Sequence, residues 1–570
     1  MTLIESKSKE LTIFLILGLM NDLETKYLPN KHLIWLLIRP WILIPRILYI
    51  TLTLLFFFIR LLFQGESKIA SVQKSLSKYL FNIITDLGPC FIKLGQALST
   101  RPDLVRQDWL NELTNLQDNL PPFEHQIAVK IIQDELGAHP EKLFDIFPNK
   151  PIASASLGQV YKAKLGNNWL AVKVQRPHLE YIIKRDVVIL KLLASISSPI
   201  LPLNIGVGIG EIIDEFGKAL FEEIDYEKES KNAERFAKLF KSNKNVFIPK
   251  VERTLSSKKV ITTTWIEGFK LKDKNELQTN NLIPSSFIRT GVISGLQQLF
   301  EHGYFHADPH PGNMFALKGG DEKNGHIAYV DFGMMDSISN SDRLTLIKAI
   351  VHLINEEYLL LAKDFQSLGF LSPSQNLELI ISPLKEVLGG SLGEEVGNFN
   401  FKNITDKFSK LMYSYPFRVP SRFALIIRAV VSQEGLALRL DPKFRIIRIA
   451  YPYIAKKLLT DDSEEIVNIL LEVIFDKNGK LQINKLESLL NILFKDSIDI
   501  NADLIPVANA TLKLFISQKG AKVRQNLLLS LIKDDKLEFR DAEKLFSIVS
   551  ETFSPIKIAR GAVKNIVSPV

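Results

Sequence analysis

The sequence predicts an α+β chain of two lobes, a small β-containing lobe followed by a helical one, with helical additions before and after them. Three observations predict it. Short β-rich runs appear from about residue 150: IASASLGQVYKAKL at 152–165, NWLAVKVQ at 168–175 and KKVITTTWIEG at 258–268. A helical stretch, residues 179–240, lies between the second and third. From about residue 285 the chain reads helical, interrupted by a His/Asp/Pro-rich loop at 305–313 and a short strand, HIAYVDFG. A β-rich part followed by a helical part is the pattern of an α+β protein.

The N-terminal element is apolar. Residues 11–20 (LTIFLILGLM) form a short run, and 41–63 (WILIPRILYITLTLLFFFIRLLF) a longer one. Arg46 and Arg60 leave 13 uninterrupted apolar residues between them. At a rise of about 1.5 Å per residue these cover about 20 Å, less than a hydrocarbon core of about 30 Å, although with the arginine-flanked ends counted about 20 residues could span if the arginines snorkel. Contact with a membrane surface is expected, with Arg39, Arg46 and Arg60 at lipid headgroups and Trp35, Trp41 and Tyr49 near the interface. A helical hairpin buried on the rest of the chain is the alternative. Glu5 and Glu10 dilute the n-region of any signal peptide, and no cleavage site of small residues follows Met20.

Residues 66–140 read as helices broken at Gly88-Pro89, Arg101-Pro102 and Pro121-Pro122. The tail reads as amphipathic helices with polar breaks near 460, 476–480 and 518–524. The expected segments are therefore 1–65, apolar and membrane-associated; 66–146, a helical extension; 147–270, the β-containing lobe; 271–455, the helical lobe; and 456–570, a helical tail.

Composition narrows the function classes. The 570 residues would allow roughly three or four domains. Hydrophobic residues make up 46% and charged residues 24%, as in folded globular chains, which excludes disorder as the main state. The net charge of +8 is mild and suits phosphate ligands or an anionic membrane face rather than nucleic acid. A single cysteine, Cys90, excludes an internal disulfide framework and a Cys-rich metal site, and fits a reducing, cytoplasmic-type compartment.

The residues that carry chemistry fall in a fixed order. Lys173 lies on an apolar strand, where a lysine needs a partner. Ahead of it, Ala153, Ser154, Ala155, Ser156 and Gly158 form a turn that could lie over phosphates. FEEIDYEKESKNAERF offers acidic partners: Glu229 could reach Lys173, and Glu223 and Asp225 share its cleft or face water. FHADPHPGNMF supplies His306-x-Asp308-x4-Asn313 on a loop stiffened by Pro309, Pro311 and Gly312. A carboxylate near an attacking hydroxyl, and an amide oxygen five residues later for a metal, are what phosphoryl transfer needs. Asp331-Phe332-Gly333 follows 23 residues after Asp308, its carboxylate ending an apolar strand. Reading His306, Asp308 and His310 as a zinc or iron cluster leaves the Asp331 motif unexplained. Lys93-x-Gly95-Gln96 sits on one helical face.

Taken together, these motifs resemble the UbiB-type atypical kinase family, protein-kinase-like proteins tied to ubiquinone and other prenylquinone metabolism. The likeness runs from about 75 to 455 and includes PFRVPSRFALIIRAVVSQEGLALRLDP at 416–442. The N-terminal RPW and the Lys/Ile/Asn-rich composition look like the branch of oxygenic phototrophs. The resemblance implies a two-lobed protein-kinase-like fold and use of ATP and Mg2+. It implies that Lys173 contacts ATP phosphates and pairs with Glu229, that Asp308 is the catalytic-loop carboxylate, and that Asn313 and Asp331 hold Mg2+. Trp265, Ile266 and Glu267 would contact adenine at a hinge. Lys93 and Gln96 would belong to an extension folded across the substrate cleft, with Lys93 touching Glu223 or Asp225. The serines at 154 and 156 depart from the family's alanine run, and no A-P-E motif or long activation segment follows Asp331. The implied partners are membrane lipid, a prenylquinone or its precursor, quinone-biosynthesis enzymes and a second copy of the chain.

Two other functions fit part of the motif set. One is a non-catalytic, nucleotide-switched chaperone for lipid or quinone. The other is a small-molecule kinase of the aminoglycoside-phosphotransferase kind, which leaves Lys93-x-Gly95-Gln96 unaccounted for.

Overall fold

The structure, a computed structural model, describes residues 27–64, 70–98, 121–197, 209–271, 274–320, 325–388, 417, 419–476, 479–494 and 520–530, with short pieces at 532–533, 536–537, 543 and 547. The apolar run at 11–20 and the break at Arg101-Pro102 lie outside these residues. The chain forms two compact units. One comprises Met1–Gly268 with Ala328–Met335, the other Phe269–Ile327 with Asp336–Val570.

The first unit opens with helices α1 (Pro29–Leu37), α2 (Pro40–Gln64), α3 (Ala70–Leu87) and α4 (Pro89–Leu98). Helices α5 (His125–Leu136) and α6 (Pro140–Leu143) follow, then strands β1 (Ala153–Ser154), β2 (Gly158–Leu165) and β3 (Asn168–Gln175). The stretch read as one helical run is three helices, α7 (Leu179–Ser197), α8 (Ile209–Glu223) and α9 (Tyr226–Leu239). After β4 (Val246–Phe247), strand β5 (Val260–Thr264) completes a sheet of order β1-β2-β3-β5. Both β2–β3 and β3–β5 are antiparallel, and Lys173 stands opposite Val160 on one side and Ile261 on the other.

Strand periodicity explains why this sheet presents a lysine. Leu170, Val172 and Val174 alternate inward onto a core with Ala128 and Ile132 of α5, and Lys173 therefore points to the opposite face. A second core joins α2, α3, α4 and α7 through Ile50, Phe57, Ile83, Leu87, Phe91 and Ile183.

The second unit begins with β6 (Phe269–Lys270), α10 (Lys274–Thr279) and α11 (Pro284–Gln297). Strands β7 (Tyr304–His306) and β8 (Met314–Gly320) flank the His/Asp/Pro-rich loop, β8 pairs with β6 antiparallel, and β9 (Gly325–Tyr329) follows in the chain. β10 (Met335–Ser337) leads directly into α12 (Asn340–Ile354), whose N-terminus is capped by Ser339 accepting from the Asp342 N–H. Helices α13 (Tyr358–Ser367), α14 (Glu378–Leu388), α15 (Ser421–Leu440), α16 (Ile447–Thr460), α17 (Glu464–Ile474), α18 (Ile483–Phe494) and α19 (Ala521–Ser530) follow.

Candidate active site

In the first unit, Lys173 is the centre of a charge cluster. Its Nζ lies 3.0 Å from both Glu229 carboxylate oxygens and 3.0 Å from Asp331 Oδ2. The Tyr226 ring lies beneath the ammonium, 5.0 Å from its centroid. Glu229 is 3% exposed, whereas Asp331 keeps 35% of its side chain open. Burial alone would lower the lysine's pKa, but Asp331, Glu229 and Tyr226 together hold it well above its usual value. Burial lifts Glu229 to about 7, with Lys173 opposing the rise and Asp331 adding to it.

The Asp331-Phe332-Gly333 turn is held from three directions. Gly333 N–H donates to Asp331 Oδ1 at 2.9 Å, Asn232 Nδ2 donates to the Phe332 carbonyl at 2.9 Å, and the buried Phe332 ring packs on Phe236 of α9. Asp331 is therefore fixed with one oxygen on Lys173 and the other on the turn.

Lys93 of α4 forms an ion pair with Glu223 at the end of α8, both largely buried. Gln96, on the same helical face, is buried. Glu223 also flanks the Asp331 turn, since a Cβ on Gly333 would lie 3.5 Å from Glu223 Cγ. Asp225 has a different job: it is the N-cap of α9, accepting from the Glu227 and Lys228 N–H groups. Of the two acids proposed for Lys93, Glu223 is the partner, while Asp225 uses Oδ1 to cap α9.

Ala153, Ser154, Ala155 and Ser156 lie on β1 and the turn after it. Ala155 N–H donates to the Gly158 carbonyl at 2.8 Å. Arg176 pins this turn, its Nε donating to the Ala155 carbonyl at 2.9 Å and its Nη2 to Ser154 Oγ at 3.1 Å. Gly158 is required by crowding: a Cβ there would sit 2.6 Å from Tyr226 Oη and 2.6 Å from the Val174 carbonyl oxygen. Trp265, Ile266 and Glu267 are the last residues before the first unit's boundary at Gly268. Trp265 N–H donates to the Trp169 carbonyl, and its ring carries the Lys162 ammonium 4.6 Å above it; Ile266 is half-buried and Glu267 exposed.

The second unit holds Asp308 and Asn313. Gln298 Oε1 accepts the His306 N–H at 2.8 Å, and His306 Nδ1 accepts the Asp308 N–H at 3.1 Å. His310 Nδ1 likewise accepts the Gly312 N–H at 3.0 Å. Both rings are thus engaged in shaping the loop, and no group of three His, Cys, Asp or Glu suited to a metal occurs among the described residues. Asn313 Nδ2 donates to the Asp308 carbonyl at 3.3 Å, which turns its amide oxygen outward from that bond. Arg428 of α15 forms an ion pair with Asp308 at 3.0 Å, and its side chain is 5% exposed.

Three functional arginines were invisible to motif reasoning. Arg428 stands in the apolar run FALIIRAVV, and a charge inside such a run is the signal that betrays it. Arg176 follows β3 with no periodic cue. Arg46 was expected at lipid headgroups, but it donates to both oxygens of the fully buried Asp186, at 3.0 and 2.8 Å, and to the Leu87 carbonyl. The physical reason is that its α2 face packs against α3, α4 and α7, where Asp186 needs a cation.

Residues 115–365 match the ABC1 atypical kinase-like domain. The chain is 45% identical to the Synechocystis protein slr1919 over 92% of both chains. It is 37% identical to ACTIVITY OF BC1 COMPLEX KINASE 1, chloroplastic, of Arabidopsis thaliana, covering 86% of this chain and 73% of that one. It is 39% identical to ACTIVITY OF BC1 COMPLEX KINASE 3, chloroplastic, of the same plant, covering 80% and 64%.

Proposed function

Because this chain belongs to the ABC1 atypical kinase-like family, in the branch found in oxygenic phototrophs, we propose that it is an ATP- and Mg2+-dependent phosphotransferase or ATPase. We place it at a membrane surface, in prenylquinone or related isoprenoid-lipid metabolism. The observation that carries the chemistry is the Lys173 ammonium held 3.0 Å from Glu229 and 3.0 Å from Asp331. A half-buried lysine, its ammonium favoured by Asp331 and Glu229, beside a part-exposed carboxylate suits a nucleotide's phosphates and a hard cation.

The family resemblance assigns Mg2+ to Asp331, a part-exposed carboxylate of the first unit, and to Asn313, an amide of the second. Both are hard oxygen donors, and Mg2+ takes few protein ligands when substrate phosphates supply the rest. When bound, the ion neutralises charge developing on the transferred phosphoryl group. Lys173 would bind the phosphates, and Glu229 would hold the lysine in place. Asp308 would orient the attacking hydroxyl or water and accept its proton, with Arg428 fixing the carboxylate. The quinone part rests on the family resemblance. Membrane location is supported by α2, which is long and apolar enough to cross a membrane.

The test is Mg2+-dependent ATP turnover by wild type and Asp331→Asn, with vesicles containing anionic lipid and added quinone precursors. Loss of this carboxylate is expected to lower turnover by about 10³-fold. Equal turnover by the two proteins would overturn the assignment.

A further inference from the structure

The geometry points to α2 as a one-leaflet docking helix that lies flat on an anionic lipid surface, and not as a bilayer span. This rests on the membrane location proposed above and on none of the phosphoryl-transfer chemistry.

Helix α2 is apolar on two opposite faces. Leu43, Ile47, Ile50, Leu54, Phe57 and Leu61 pack into the core shared with α3, α4 and α7. The other face carries Trp41, Ile44, Leu48, Leu52, Leu55 and Ile59, all between 41% and 70% exposed. These recur every three or four residues, so at 3.6 residues per turn they form one continuous stripe. Leu62 and Phe63 extend it at 80% and 86% exposure, and Ile34, Leu37 and Ile38 of α1 lead into it.

Two features select the occupant. First, α2 is fastened to the folded body along its length, and midway by Arg46, which bridges to the buried Asp186. Crossing a bilayer would strip this face from its core and leave Asp186 with its Arg46 bonds broken. Lying flat keeps every one of these contacts and covers only the outer stripe. Second, Tyr27–Gln64 contains no Asp or Glu, while Lys31, Arg39 and Arg60 are basic. A stripe free of acids, with Lys31 and Arg39 ahead of it and Arg60 near its end, matches anionic headgroups above acyl chains, with Trp41 and Tyr49 as interfacial aromatics.

The full-length chain is tested by flotation with phosphatidylcholine vesicles and with vesicles of phosphatidylcholine and phosphatidylglycerol in equal parts. Wild type is expected to float with the anionic vesicles. The Leu52→Glu/Leu55→Glu variant, altered only on exposed positions and checked for an unchanged thermal midpoint, is expected to bind about tenfold less or weaker. Topology is read in a Cys90→Ser background carrying Asn30→Cys or Gln64→Cys, labelled with an impermeant maleimide outside intact vesicles. Labelling of both ends without detergent supports the flat arrangement. One end that labels only after detergent would mean a span, overturning this inference while leaving the membrane location standing. Absence of flotation would overturn both. Light scattering that shows a dimer lost on Leu52→Glu/Leu55→Glu, with no lipid binding, would assign the stripe to a second copy and overturn the inference as well.

Discussion

Arg428 and Asp308 form a buried ion pair at 3.0 Å inside the helical unit, so the carboxylate that phosphoryl transfer would use is already held by a cation from a helix 120 residues further along the chain. Removing one member of a buried pair leaves the other charged and unpaired. Arg428→Met is expected to lower unfolding stability by about 3 kcal/mol, and the Arg428→Met/Asp308→Asn double variant to recover part of it. Denaturant titration of the four proteins in the cycle measures this. A double variant as unstable as the sum of the singles would show the pair uncoupled.

Gly158 and Tyr226 make a steric relationship that can be tested the same way. A Cβ at 158 would lie 2.6 Å from the tyrosine hydroxyl and 2.6 Å from a backbone carbonyl. The hydroxyl is buried without a hydrogen-bond partner among the described residues. Gly158→Ala should therefore destabilise by about 1–3 kcal/mol. Adding Tyr226→Phe removes only the hydroxyl clash, so the rescue should be partial. Thermal melts of the single and double variants check it, and full additivity would rule the contact out.

What the sequence disclosed follows from what chemistry spaces regularly. Asp308 and Asn313 had to be five residues apart on one loop, and Lys173 had to alternate with core residues on its strand, so both were readable from pattern. Glu229 was readable as a helical acid within reach of that lysine. Asp225 was not: an acid that caps a helix and an acid that lines a cleft look alike until the helix start is known. The second bond of Lys173, to Asp331, joins residues 158 apart, and the Arg46–Asp186 pair joins residues 140 apart. No local period records such long-range pairings. The extent of α2 was readable as the apolar run 41–63, but the place of Arg46 was not: it meets the buried Asp186 and not lipid headgroups.

The charge cluster predicts a pH signature. Burial raises Glu229 to about 7 from a usual value near 4.5, so the folded state holds this proton more tightly than the unfolded chain. Its contribution to stability is then present in full below about 4.5 and is lost as pH rises through about 7. Lys173 opposes this rise, so Lys173→Met should push the carboxyl higher still. The variant is expected to lose stability between pH 5 and 8 by a margin of a few kcal/mol beyond wild type. Adding Glu229→Gln should flatten the difference. Urea unfolding across this pH window reads both effects, and a Lys173→Met profile parallel to wild type would contradict them.

Cys90 offers a direct probe of the Lys93 extension. It is the chain's single cysteine, fully buried on α4 one turn before Lys93. Burial, reinforced by Asp186 and opposed by Arg46 and Arg185, pushes its thiol well above the usual range. A thiol that is both buried and protonated reacts only when its helix opens. Lys93 ties α4 to Glu223, so Lys93→Met should free that opening without touching the cysteine. Modification by a disulfide reagent is expected to be very slow in wild type and about tenfold faster in Lys93→Met, if the ion pair contributes about 1.4 kcal/mol to keeping α4 closed. A Glu223→Gln variant should accelerate it to the same extent, because either change removes the same contact. Unequal rates in the two variants would mean that α4 is held by packing on Phe91 and Ile92 and not by the pair.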